Sequence, residues 1–254
     1  MRNLVSNKKI ITITVLGIAC VGVFFTDHKL PPPEPIVPTP TLLSATASPV
    51  ILKNIALTFD DGPYGTSTEK ILDILKQENI HASFFIIGKN VEKYPELTRR
   101  IVAEGHIIGN HSFDHSKKLS EMSTTTFAEN INKAEDIIAS TTKIYPKIFR
   151  PPYGKSSSKM FEVLNKEKYI SVLWNIDSKD WDDINSTTDL IEKETIQSAK
   201  TNGIILFHDG RDIHVDYPRE NIINALPAII QKLKSAGYTF VTIDKILNTR
   251  PYFD

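Results

Sequence analysis

The sequence predicts an α/β fold in which short parallel strands alternate with covering helices, and three observations carry that prediction. From residue 51 onward, short apolar runs alternate with polar segments of helical period. No G-x-G-x-x-G follows the first run, which weakens an open doubly wound sheet against a closed barrel. Chemically useful polar residues stand just past the runs, where a parallel barrel gathers its functional groups.

The elements follow in order. IALTF (55–59) is the first run. Thr66 and Glu69 make a capping-box pattern for a helix carrying Ile71, Leu72 and Leu75. ASFFII (82–87) is rich in strand formers, and its Phe84, Phe85 and Ile87 read as barrel core. Leu97, Ile101 and Val102 give a helical stripe, and HIIGN (106–110) is the next run. Phe127, Ile131, Ala134 and Ile138 recur at spacings of three and four, an amphipathic helix. IFR, YISVLWN and GIILFH are further runs, separated by polar helical segments. Ile222, Leu226, Ile229 and Leu233 form the last long stripe, and TFVTI closes the series. Roughly seven such runs imply a mainly parallel sheet covered by helices.

The chain of 254 residues carries 30 basic and 30 acidic side chains. Its zero formal charge gives no reason to expect a nucleic-acid partner or a basic membrane-binding face. The single cysteine, Cys20, excludes an intrachain disulfide. Arg2, Lys8 and Lys9 precede an apolar run from Ile10 to Phe25, which Asp27, His28 and Lys29 end. Residues 1–30 therefore read as a membrane signal-anchor, or else a cleaved signal peptide, with the basic flank kept inside. Leu16 to Cys20 loosely resembles a bacterial lipobox, so a lipidated Cys20 is the third alternative. Residues 31–50 are a proline-rich linker, extended at ~3.1 Å per residue and reaching up to about 60 Å. The folded domain is expected over 51–250, in an extracytoplasmic location.

His111 and His115 stand four apart in HSFDH, a spacing that lets both imidazoles reach one metal. Two histidines meeting by chance on a surface turn is the plainer alternative. Ser112 occupies the place where H-E-x-x-H requires its glutamate, which excludes a zincin. A carboxylate is the natural third ligand. Asp60 and Asp61 are adjacent after the first run. One can ligate while its neighbour moves protons, because a cation lowers the cost of ionising both. A simple Asp-Asp-Gly-Pro turn is the alternative. Two histidines and one aspartate leave coordination positions open, which marks a catalytic site, and the same set also serves non-haem iron oxygenases.

TFDDGP, HSFDH, RPPYG, DSKDW and LFH occur in this order. Together they resemble the motifs of the polysaccharide deacetylases, the NodB homology family or carbohydrate esterase family 4, over roughly residues 52–248. The resemblance implies a distorted (β/α)7-type barrel and metal-dependent removal of N-acetyl or O-acetyl groups from sugars. It implies that Asp61, His111 and His115 hold a divalent metal, Zn²⁺ first and Co²⁺ second. Asp60 would be the general base, oriented by Arg150. The backbone N–H of Tyr153 would help stabilise the oxyanion. His208 would be the general acid, with Asp177 as its charged partner. Trp181 and Leu206 would line the groove and the acetyl-methyl pocket. Asp180 fits the pattern without an assigned role, and Asp114 is a loop residue or a support for the ligands. His214, Asp216 and Tyr217 read as a solvated loop. The paired residues argue against an oxygenase. Peptidoglycan is the favoured polymer, because an anchor and a proline spacer would hold the domain against the wall. Chitooligosaccharides, poly-N-acetylglucosamine and acetylxylan stay open, as does a carbohydrate-binding homologue without turnover.

Overall fold

In the computed structural model, which describes residues 52–182, 184–211 and 219–254, strand β1 (Lys53–Asp60) is the axis of the sheet. Its partner along most of its length is β7 (Gly203–His208). Its other edge is shared: β8 (Tyr238–Phe240) pairs with Lys53–Ile55, and β2 (Ser83–Ile86) with Thr58–Asp60. Beyond β2 lie β3 (Ile107–Asn110), β4 (Ile148–Phe149) and β5 (Ile170–Ser171). Beyond β7 lies β6 (Ile176–Asp177). Every pairing between these strands is parallel. A sheet covered on both faces needs strands that are apolar throughout, and Ile55, Ala56, Leu57 and Phe59 of β1 are all fully buried. The expected segments 1–30 and 31–50, with Cys20, and the residues His214, Asp216 and Tyr217 lie outside the described residues.

The helices follow the sequence stripes. Ile71, Leu72 and Leu75 of α1 (Gly65–Gln77) are fully buried. The helices α2 (Gly88–Lys93) and α3 (Pro95–Ala103) pack against α4 (Thr124–Thr142), whose Phe127, Ile131, Ala134 and Ile138 are fully buried. Burying each of the larger side chains contributes about 1.5–3 kcal/mol, more than the intrinsic helix preference of any one residue. The helices α5 (Ser158–Lys166), α6 (Thr188–Gln197), α7 (Glu220–Ser235) and α8 (Ile243–Leu247) complete the layer, with α7 against both α1 and α6. Phe84, Phe85 and Ile87 are core, as expected. No helix among the described residues is long and apolar enough to cross a membrane.

Two expectations need correction. The capping box does not form: α1 begins at Gly65, Thr66 and Glu69 are exposed, and the Thr68 hydroxyl accepts the Tyr64 N–H at 2.7 Å. The sheet also does not close into a seven-stranded barrel. It is a half-barrel of parallel strands whose edges are β5 and β6. The run YISVLWN supplies one strand, β5; residues 172–175 then cross the gap, and β6 begins just beyond the run on the opposite edge. Carbonyls in such a crossing lose their ladder partners and must find others. The Arg150 guanidinium supplies them, donating to the Val172 and Leu173 carbonyls at 3.3 Å each.

Candidate active site

The C-terminal ends of β1, β3, β4, β6 and β7 meet around one cleft of about 410 Å³. Its size falls in the range of small-molecule sites. Asp60 ends β1, and its Oδ1 accepts from Arg150 Nη1 at 2.7 Å. The same nitrogen donates to the Thr58 hydroxyl at 2.8 Å. Arg150 is fully buried, with its guanidinium 3.9 Å from the centre of the Phe85 ring. The guanidinium therefore joins two tasks, spanning the open side of the sheet and fixing the Asp60 carboxylate.

Asp61 follows with a left-handed backbone (φ 73°), as do Ser112 (φ 70°) and His115 (φ 52°). These conformations cost free energy outside glycine and persist only where the surroundings enforce them. Here side-chain amides do so. Asn90 Nδ2 donates to the Asp61 carbonyl at 2.7 Å. Asn110 accepts the Ser112 N–H at 2.8 Å and donates to the Ile131 carbonyl of α4 at 2.9 Å. Asn130 accepts the Phe113 N–H at 2.9 Å and donates to Asp114 at 3.0 Å. Asp114 is thus a support that ties the histidine loop to α4.

The loops bring Asp61, His111 and His115 together, all buried, with ligand-type atoms within 4.8 Å of one another. Asp61 Oδ1 lies 3.4 Å from His111 Nε2 and 3.2 Å from His115 Nε2. His111 Nδ1 donates to the Arg150 carbonyl at 2.7 Å, which leaves the Nε2 lone pair facing Asp61. Asp61 Oδ1 is buried without a hydrogen-bond partner. An orphaned carboxylate oxygen between two imidazole nitrogens fits a divalent cation in both charge and donor type. Burial pushes the Asp61 carboxyl up, but the imidazoles of His115, His111 and His208 outweigh it and hold it well below the usual carboxylate range.

The loops after β1 and β7 interlock. A Cβ on Gly62 would lie 2.0 Å from Asp209 Oδ2, and one on Gly210 would lie 2.1 Å from the Asp61 carbonyl oxygen. The backbone N–H groups of Asp209 and Gly210 both donate to the Asp60 carbonyl, at 3.1 and 3.3 Å. Asp209 is fully buried and takes a 2.6 Å bond from Thr68. Burial, helped by Asp61 and Asp60 against the pull of Thr68, pushes its carboxyl up to about 7.

On the opposite side, His208 ends β7. Its Nδ1 lies 2.8 Å from Asp180 Oδ1, and its backbone N–H donates to Asp180 Oδ2 at 2.7 Å. Burial lowers the affinity of His208 for its proton, but the Asp180 carboxylate outweighs that and raises its pKa. Asp180, not Asp177, is therefore the partner of His208. The reason is strand register: Asp177 pairs with Leu206, two residues short of His208, and the chain must turn back for Asp180 to reach the imidazole. Buried Ser178 anchors that turn through a 2.6 Å bond to the Leu206 carbonyl. Asp177 instead accepts from Lys179 and from Trp181 Nε1.

Tyr153, Trp181 and Leu206 all line the cleft, as expected. Tyr153 has φ 58° in a 3₁₀ turn (Pro152–Gly154), and its ring centre lies 4.6 Å from that of His115. Three more lining residues, Trp174, Arg211 and Arg219, carry no signal in the sequence. Arg219 Nη1 donates to the Asp180 carbonyl at 3.1 Å, and its Nε to the Gly210 carbonyl. It stands just before α7, where only its closeness to a helix start could have drawn notice.

Comparison with known proteins agrees with this geometry. The polysaccharide deacetylase family model matches residues 48–172. A peptidoglycan-N-acetylglucosamine deacetylase of Bacillus cereus is 35% identical over 205 residues, covering 81% of this chain and 72% of that protein. The peptidoglycan-N-acetylmuramic acid deacetylase PdaC of Bacillus subtilis is 37% identical over 194 residues, covering 76% of this chain but only 38% of its own length. A crystal structure of a peptidoglycan N-acetylglucosamine deacetylase superposes with a TM-score of 0.73 at 34% identity, covering 79% of this chain and 90% of that one.

Proposed function

Because the chain belongs to the polysaccharide deacetylases of carbohydrate esterase family 4, we propose that this hydrolase removes N-acetyl groups from an N-acetylglucosamine-containing polysaccharide, with peptidoglycan as the favoured polymer. The observation that carries the reading is the order of groups across the cleft. Asp60 with Arg150 stands on one side, the Asp61–His111–His115 set in the middle, and His208 with Asp180 on the other. Support for peptidoglycan comes from relatives that act on either of its two amino sugars.

Asp61, His111 and His115 would hold the divalent cation, Zn²⁺ or Co²⁺. Bound there, the cation would lower the pKa of a water toward about 7 and polarise the acetyl carbonyl. The chain's own residues do the rest. Arg150 holds Asp60 Oδ1 and leaves Oδ2 to take the proton of the attacking water. The Tyr153 N–H is assigned to the developing oxyanion. His208, kept protonated by Asp180, delivers a proton from Nε2 to the leaving amine as the C–N bond breaks. Acetate and a free amino sugar result. Leu206, buried at the cleft floor, borders the space for the acetyl methyl, and Trp181 borders the sugar.

The deciding experiment is acetate release from peptidoglycan, chitooligosaccharides, poly-N-acetylglucosamine and acetylxylan with Zn²⁺ or Co²⁺ present. Release from peptidoglycan above the others is expected. Metal bound without release from any polymer would reject the enzyme. The N-terminal segment is proposed to anchor the domain outside the membrane, on the pattern of residues 1–30. Membrane fractionation and protease accessibility in intact cells test that placement.

A further inference from the structure

We infer that Asp177 is a positioning residue for Trp181: its carboxylate sets the indole as a fixed wall of the cleft before any sugar arrives. The role of that wall rests on the deacetylase reading, whereas its fixation does not. Trp181 is 48% exposed, so packing alone leaves its rotamer underdetermined. Directional contacts take over. Asp177 Oδ1 accepts the indole Nε1–H at 3.2 Å and the Lys179 N–H at 3.0 Å. The second of these closes an Asx turn, in which a side-chain oxygen captures the N–H two residues on. Lys179 itself has a left-handed backbone (φ 62°). Asp177 Oδ2 takes Lys179 Nζ at 2.7 Å, and that ammonium lies 5.5 Å from the centre of the Trp181 ring. One carboxylate thus holds the indole edge directly and its face through the ammonium.

A role in stability alone explains this poorly. The side chains of the Lys179–Asp177 pair are 45% and 26% exposed. Pairs so exposed contribute little, typically about 0–1 kcal/mol. The arrangement also divides the segment 177–181 by direction. Ser178 and Asp180 face inward to Leu206 and His208, while Asp177 and Lys179 serve Trp181. Two aspartates three residues apart hold the two functional side chains of this flank, one each.

The test uses the full chain loaded with Zn²⁺ and N-acetylglucosamine oligomers. Asp177→Ala should raise KM by roughly 5–10-fold, with kcat within about twofold and the alkaline limb of the pH profile unmoved. Asp177→Asn should return KM to near the starting value, because the amide oxygen still accepts the indole N–H. A second measurement needs no turnover. The chain has two tryptophans, so Trp174→Phe leaves Trp181 as the sole indole reporter. In that background Asp177→Ala should red-shift the emission and raise acrylamide quenching, and Asp177→Asn should do neither. Unchanged emission and quenching in Asp177→Ala would overturn the inference. So would a fall in kcat with a displaced alkaline limb, which would make Asp177 a partner of the acid instead. If the unsubstituted chain releases no acetate from any oligomer, the deacetylase reading fails alone, and the indole measurement still decides the positioning.

Discussion

The two sides of the cleft are put together differently. On the Asp61 side the functional atoms sit on short local motifs: adjacent aspartates at 60–61 and two histidines four apart. Neighbouring amides, Asn90, Asn110 and Asn130, hold those motifs in strained backbone shapes. On the His208 side the partner of the imidazole is chosen by a turn that reverses after β6, and both candidate aspartates lie within one pentapeptide. Local spacing settles the first side. The second depends on where a two-residue strand stops. A motif can therefore be complete in sequence while the roles within it remain ambiguous.

The largest effects should come from separating proton transfer from cation binding. Asp60→Asn is expected to lower kcat by about 10²–10⁴-fold while metal content, measured by elemental analysis, stays that of the starting protein. Asp61→Asn and His111→Ala should instead empty the site. Loss of metal in Asp60→Asn would show that the two neighbouring carboxylates have exchanged roles.

Next comes the His208 side. The alkaline limb of kcat/KM should report loss of the His208 proton, and Asp180 raises that pKa. A group that works protonated keeps its activity below its pKa and loses it as pH rises through it. Asp180→Asn removes the raising charge, so the alkaline limb should move to lower pH, with kcat down by on the order of 10²-fold. Asp177→Asn should leave the limb in place. Equal shifts from both would dissolve the distinction between the two aspartates.

The same contrast separates what was legible in the sequence from what was not. The stripes of α1, α4 and α7 were legible because burial imposes a period on a single helix. The strand-end positions of Asp60, His111, Arg150 and His208 were legible because parallel strands put such ends together. The early end of the strand in YISVLWN, after which the chain crosses to β6, was not. Its cause is Arg150, a residue 22 positions earlier that satisfies the carbonyls of the crossing. The start of α1 was misread for a similar reason, since Thr68 is bound to Asp209, 141 residues away. Each failure marks a place where a distant side chain overrode a valid local pattern.

A smaller effect should come from the contact between the two sides. Gly210 presses on the Asp61 carbonyl, so the Cβ of Gly210→Ala must displace backbone rather than a flexible side chain. Zinc titration should show affinity lower by about 10–100-fold, with stability down by about 1–3 kcal/mol in thermal unfolding. Normal affinity in a folded Gly210→Ala protein would mean that the Asp61 loop tolerates movement, contrary to the rigidity assigned to it.

The smallest effect tests whether the amides hold the histidine loop from α4. Asn130→Ala removes the acceptor for the Phe113 N–H and the donor to Asp114, both on the loop between the two histidines. Two such bonds contribute about 1–3 kcal/mol. The histidines keep Asn110 and Ser112 as further supports. Zinc affinity should therefore fall by less than about tenfold, below the range for the direct partners of metal ligands. Asn130→Asp gives the sharper result. It keeps an acceptor for Phe113 but sets a second carboxylate against Asp114, where the amide now lies 3.0 Å away. Repulsion between the two should make this variant worse than Asn130→Ala at neutral pH and relieve it as pH falls and one of them takes a proton. If Asn130→Ala and Asn130→Asp bind zinc equally at every pH, the loop holds its shape without α4, and the Asp61 side owes its geometry to the motif alone.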